Sequence, residues 1–176
     1  MLTDEGMTSW ATQVGYTQPQ YSVSAIVNMK YNEWEDGYYQ TTLGTDRSFN
    51  DQGSVNIGLR AWWRPEETGT IVPSVSLGYD TSETDRDEND GTDAYFVGLN
   101  WQDAFTADDR VGIAFGQPQK RDGDTVDPFL YEIYYDYKVN DSITVTPAIF
   151  GGTANDGGTG TEATMTGYVL NTTFTF

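Results

Sequence analysis

The stretch Tyr21-Ser22-Val23-Ser24-Ala25-Ile26-Val27-Asn28-Met29-Lys30-Tyr31 decides the fold. One parity reads Tyr21, Val23, Ala25, Val27, Met29, Tyr31, and the other reads Ser22, Ser24, Ile26, Asn28, Lys30. Apolar and polar residues that alternate with period two belong to a strand with two unlike faces. At ~3.3 Å per residue and a tilt of ~45°, such a stretch rises roughly 25 Å, the height of the apolar band of an outer-membrane barrel. A tyrosine stands at each end, where an aromatic girdle lies in such barrels.

The pattern recurs along the chain. Val55, Ile57, Leu59, Ala61 and Trp63 alternate with Ser54, Asn56, Gly58, Arg60 and Trp62, and Ile71, Pro73, Val75, Leu77 and Tyr79 alternate with Val72, Ser74, Ser76, Gly78 and Asp80. Further runs are Tyr95 to Gln102, Arg110 to Gly116, Phe129 to Lys138, Ile143 to Phe150 and Tyr168 to Phe176, with a weaker first run from Trp10 to Tyr16. About nine strands are expected, with a tenth over Gly37 to Thr45 as an alternative. Helical periodicity is absent, and Gly, Thr and aromatics suit strands better than helices. The fold class is all-β.

A soluble sandwich alternates too, with its apolar face packed in a core. Three features favour an antiparallel transmembrane β-barrel. Several runs approach ten residues, against ~5–6 in globular sheets. The connections alternate between short (17–20, 64–69, 102–108, 140–142) and long (32–53, 81–92, 118–127, 151–161), the expected asymmetry of outer-membrane barrels. The chain stops on Phe176, in register with Tyr168, Leu170 and Phe174, which resembles the C-terminal strand that the barrel-assembly machinery of bacterial outer membranes recognises.

Composition removes competing functions. The 176 residues carry 27 Asp+Glu against 9 Lys+Arg, a formal charge of −18, which repels nucleic-acid backbones. With no His and no Cys, hydrolase triads, thiolate nucleophiles, disulfides and His/Cys metal sites are excluded. Glu132 and Asp136 are the one strand-borne carboxylate pair, but four residues along a strand is roughly 13 Å, too far for glycosidase geometry. No enzymatic activity, cofactor or metal site is expected. The acidic stretch Glu83 to Asp93 has alternating oxygen ligands at Asp85, Asp87 and Asn89, yet Gly91 comes one place late and Phe96 stands where an EF-hand needs Glu. It reads as a solvated loop. The Gly-rich run 151–160 is followed by no helix and no Lys-Ser/Thr, so it is not a phosphate loop.

The stretches Gly58-Leu-Arg-Ala-Trp-Trp-Arg-Pro-Glu-Glu67, Ile71-Val-Pro-Ser-Val-Ser-Leu-Gly-Tyr79, Val97-Gly-Leu-Asn-Trp-Gln-Asp-Ala-Phe105, Gly112-Ile-Ala-Phe-Gly-Gln-Pro118 and Asn140-Asp-Ser-Ile-Thr-Val-Thr-Pro-Ala-Ile-Phe150 resemble the C-terminal part of cyanobacterial outer-membrane porins of the carbohydrate-selective porin family. The likeness runs from about Ser54 to Phe176. It implies a ~16-stranded channel for passive diffusion of small hydrophilic solutes such as inorganic ions, sugars or iron. The family's surface-layer-homology domain has no counterpart here, and Met1-Leu-Thr-Asp-Glu5 is acidic where a signal peptide is basic. Residues 1–176 are therefore expected to form one region, the C-terminal portion of a porin barrel, with outer-membrane lipid, the assembly machinery and other chains of the same barrel or a homo-oligomer as partners. Nucleic acid is not a partner.

In such a channel the polar parity faces the lumen. The pore-lining candidates are Lys30, Asn56, Arg60, Asp80, Asn100, Arg110, Glu132, Asp136 and Lys138, with basic and acidic groups expected to face each other in opposed ladders. Tyr168, Leu170, Phe174 and Phe176 are the candidate assembly signal. Two other readings stay open: a small closed membrane barrel with an anchoring role, and a soluble acidic β-domain that binds a partner.

Overall fold

The computed structural model describes residues 8–31, 53–84, 91–155 and 161–176. They form nine strands: β1 (Thr8–Thr17), β2 (Tyr21–Tyr31), β3 (Gly53–Trp63), β4 (Ser74–Thr84), β5 (Thr92–Gln102), β6 (Arg110–Arg121), β7 (Phe129–Asn140), β8 (Ile143–Asn155) and β9 (Glu162–Phe174). Each pairs antiparallel with its sequence neighbours in one sheet, in the order β1 to β9. β1 and β9 make no contact with each other, so among the described residues the sheet is open and both edges are unpaired.

Directly paired residues in an antiparallel ladder point to the same face. The register therefore joins the apolar parities of all nine strands into one surface: Val14, Ala25, Leu59, Tyr79 and Tyr95 form one row, and Leu77, Val97, Phe115 and Tyr131 belong to the next. The polar parities form the opposite surface. A single sheet with nothing packed on either face cannot bury a core, and among the described residues the buried apolar side chains are few: Val126, Pro128 and Ala148. Burial runs against the order of a soluble sheet. In β2 and β3 the exposed residues include Val23, Ala25, Val55, Ile57 and Leu59, whereas Ser22, Ser24, Asn28 and Asn56 are half-buried and Gly58 is buried.

The strands are staggered. The row that begins at Tyr16, one residue from the end of β1, passes Ala61, Val97 and Tyr131 and reaches Thr166, eight residues from the same end of β9. A drift of about one residue per strand, at ~3.3 Å rise and ~4.8 Å strand spacing, tilts level-ended strands by about 30°.

Two expectations are corrected. The fourth strand begins at Ser74 rather than Ile71, because Pro73 lacks an amide to donate and restricts Val72 before it; Ile71 stands 92% exposed in the connection. The contrast between short and long connections is also weaker than expected. Hairpin pairing continues into the stretches read as loops, to Ser54↔Thr84 and Asn155↔Glu162, and this leaves strands of up to 13 residues with shorter links between them. The alternative tenth strand over 37–45 lies outside the described residues, as does most of the acidic stretch 83–93. β2 and β3 pair directly from Tyr21↔Trp63 to Tyr31↔Gly53, so no strand lies between them.

Prolines mark two of the irregularities; a third, the β7–β8 register shift between Lys138 and Asn140, has no proline beside it. The β5–β6 register shifts beside Pro118, and the β7–β8 ladder skips from Tyr134↔Ala148 to Tyr137↔Val145 around Pro147. At the latter gap Thr146 Oγ1 donates to Asp136 Oδ1 at 2.6 Å, a side-chain bond where ladder bonds are missing.

Candidate functional site: the polar face

One end of the sheet carries the β1–β2, β3–β4, β5–β6 and β7–β8 connections, which are stitched sideways. Arg64 N donates to Gln20 O and Arg64 Nε to Pro19 O, both at 2.8 Å; Gly69 N donates to Gln102 O at 2.9 Å, and Trp101 Nε1 to Ile71 O at 2.8 Å. The β5–β6 turn is built around Asp109, which is fully buried and accepts from Thr106 N (2.9 Å), Phe105 N (3.1 Å), Thr106 Oγ1 (3.2 Å) and Tyr135 Oη (2.9 Å). Asp103 and Asp108 flank it with φ of 55° and 66°, a region Asp tolerates better than most residues.

Burial alone raises the Asp109 carboxyl, but the donors from Thr106, Tyr135 and Phe105 outweigh it and hold it below the ordinary 3.8. The Thr68 hydroxyl, then the Asp108 amide, lowers Asp103 in the same way. A depressed carboxylate supports the fold above its unfolded pKa, and that support is lost as pH falls through the folded value. The turn is therefore expected to loosen only below pH 3.8, and amide exchange at Phe105 and Thr106 in Asp109→Asn should lose this acid step.

All nine pore-lining candidates lie on the polar face. Arg60, one strand from Asp80, grips it with two bonds of 2.9 and 2.7 Å, donates to Leu59 O and Tyr79 O, and sits over the Phe96 ring at 5.8 Å. Asn56 belongs to a ladder in which Asn28 Nδ2 donates to Ser9 Oγ, Asn56 Nδ2 to Asn28 O and Ser82 Oγ to Asn56 Oδ1. Asn100 Nδ2 donates to Tyr134 Oη at 2.8 Å. Lys138 pairs with Asp108 at 3.0 Å and Asp141 at 3.3 Å. Arg110 stands opposite Asp136 in the register, and Lys30 opposite Ser9 and Ser54. Glu132, opposite Ala114 and Phe150, has no ion-pair partner among the described residues. Arg60 and Lys138 are neutralised by carboxylates beside them on this sheet, which is open and has no facing wall among the described residues on which an opposed ladder of charge could be read. Both members of the Arg60–Asp80 pair are nearly half exposed, so solvent screening limits it to at most about 1 kcal/mol.

Glycines shape this face in a way sequence reading missed. Phe96 stands opposite Gly78, Tyr134 opposite Gly112 and Phe150 opposite Gly167, and each ring lies over its glycine so closely that a Cβ there would fall inside the ring's contact radius. Gly112 thus lets Tyr134 reach across β6 to Asn100 on β5. The rings of Phe96, Tyr134 and Phe150 are thus laid flat along the sheet.

On the apolar face, aromatics near the stitched end carry their polar tips in hydrogen bonds at that end. Tyr16 Oη accepts from Gln18 Nε2 at 2.8 Å, Trp101 donates to Ile71 O, and Tyr135 to Asp109. The candidate assembly residues lie on β9 and beyond it: Tyr168 is 77% exposed, Leu170 70%, and Phe174 and Phe176 are exposed with them.

No family model and no solved structure matches this chain. It is similar to an uncharacterized protein from Nostoc sp., with 30% identity over 141 residues that make up 77% of this chain and 24% of the relative. The chain thus spans about a quarter of that relative's length. Among the described residues no helix is long and apolar enough to cross a membrane.

Proposed function

We propose that this chain forms part of the wall of an outer-membrane porin like those its sequence resembles, with the apolar face in lipid and the polar face lining a water-filled channel for passive diffusion of small hydrophilic solutes. The observation that carries this reading is the inverted burial within β2 and β3: Val23, Val55 and Leu59 are exposed while Ser22, Ser24, Asn56 and Gly58 of the polar parity are shielded. In water such an apolar surface is an association liability; in a bilayer it is the favoured arrangement. The stagger, a tilt of about 30°, has the sense of barrel strands and falls just short of their usual ~35–45°, and the tethered Tyr16, Trp101 and Tyr135 suit an interfacial aromatic belt.

Lipid cannot hydrogen-bond the open edges of β1 and β9, so the membrane form requires further strands. β1 and β9 run in the same direction, and closure by antiparallel pairs alone therefore takes an odd number of them. The flattened rings favour a channel over a small barrel whose interior is filled by side chains, because Phe96, Tyr134 and Phe150 occupy wall instead of lumen.

The test is conductance of the purified full chain, with whatever strands complete it, in a planar bilayer. Discrete ohmic steps are expected; a silent bilayer with verified insertion would contradict the channel. Asp80→Asn is expected to release Arg60 toward the lumen and shift the reversal potential in a salt gradient toward anions.

A further inference from the structure

The polar face is not uniformly hydrophilic. Between β5 and β9 it holds a hollow of about 400 Å³ whose lining includes Phe96, Ala114, Leu130, Glu132, Phe150 and Met165. Its floor is low because β6 contributes Ala114 and Gly116 where the neighbouring strands carry Phe96, Leu130 and Glu132. Its border is apolar because the Phe150 ring, laid over Gly167, and Met165 line it on the side of β8 and β9. The size falls in the range of small-molecule sites, which are mostly apolar with a few polar groups that orient the ligand.

Glu132 is the single charged side chain in this lining, and no basic group among the described residues neutralises it. The contrast with its neighbours is informative. Of the cations on the same face, Arg60 and Lys138 are held by adjacent carboxylates, Arg110 stands opposite Asp136, and Lys30 lies on β2, five strands from the strand that carries Glu132. An apolar hollow with one unanswered carboxylate selects a ligand with an apolar body and one positive charge. Aromatic walls add to that preference through the negative faces of their rings.

We propose that this hollow is a binding site for a small organic cation, an alkyl- or arylammonium compound, with its ammonium at Glu132 and its body against Leu130, Phe150 and Met165. The site deepens the channel reading and rests on it, since the polar face must meet water for the ligand to arrive.

The probe is benzyltrimethylammonium, with benzyl alcohol and benzoate as the neutral and anionic matches. Saturation-transfer NMR on the detergent-solubilised full chain is expected to detect the cation and neither control. Glu132→Gln is expected to weaken cation binding about tenfold, and Ala114→Leu, which raises the floor, to abolish it. In a planar bilayer the cation is expected to reduce the open-channel current at concentrations where benzyl alcohol does not. Equal binding of all three probes, or unchanged binding in folded Glu132→Gln, would overturn the site. Absence of conductance together with cation binding would overturn the channel and leave the site standing.

Discussion

Replacing Leu59 with arginine is expected to destabilise the membrane form by about 2–4 kcal/mol, the cost of a guanidinium on the lipid face near the bilayer midplane. Leu59 lies midway along β3, on the exposed apolar surface between Ala25 and Tyr79. The control is Ser76→Arg, on the polar face between Trp62 and Gly98, expected to change stability by less than about 1 kcal/mol. Urea unfolding of both variants in lipid vesicles measures the difference. If the apolar face were exposed to water, both arginines would be harmless; a large penalty confined to Leu59 agrees only with a non-aqueous surrounding.

The second large effect concerns backbone contact. A Cβ at Gly116 would overlap Tyr95 O and the Phe96 Cα, and one at Gly152 would overlap Phe129 O, with no flexible side chain able to yield. Gly152 also has φ of +146°, which L residues rarely adopt. Gly116→Ala and Gly152→Ala are each expected to lose about 3 kcal/mol or more, through overpacking that only strand separation relieves. At Gly112 the atoms in the way belong to the Tyr134 ring. Gly112→Ala should therefore cost less, about 1–2 kcal/mol, by swinging Tyr134 off the strand and breaking its bond from Asn100. Protease resistance and thermal midpoints should rank the Gly116 and Gly152 variants below the Gly112 variant.

Alternation made much of this fold legible in the sequence. The run from Tyr21 to Tyr31 appears whole as β2, and the parities assigned to each run join into two continuous faces, because a period of two leaves no freedom about which side a residue takes. Strand ends were less legible. Thr81, Ser82 and Glu83 read as loop but continue β4, since polar residues at the tip of a long hairpin carry no alternation to extend. Ile71 read as strand but precedes Pro73, and the proline prevails over the pattern.

The polar face was legible as a list of residues and not as an arrangement. Alternation puts Arg60 and Asp80 on one side, yet only the register reveals that they lie a strand apart and neutralise each other. The glycines of that face were visible, but what each accommodates depends on its cross-strand partner, which one strand cannot supply. Asp109 was hidden for another reason. In the sequence it is one acid among several near a turn, and its burial follows from the packing of Phe105, Thr106 and Tyr135 around it.

The most direct test of the two-faced wall uses the absence of cysteine from the chain. Single cysteines placed at each position from 55 to 62 on β3, spin-labelled, and reconstituted in lipid vesicles as the full chain with its completing strands, report collisions with oxygen and with a water-soluble nickel complex. Labels at Val55, Ile57, Leu59 and Ala61 are predicted to meet oxygen, and those at Asn56, Gly58, Arg60 and Trp62 to meet nickel, in strict alternation. Nickel access on both parities, or on neither, would contradict the placement of this sheet between lipid and water.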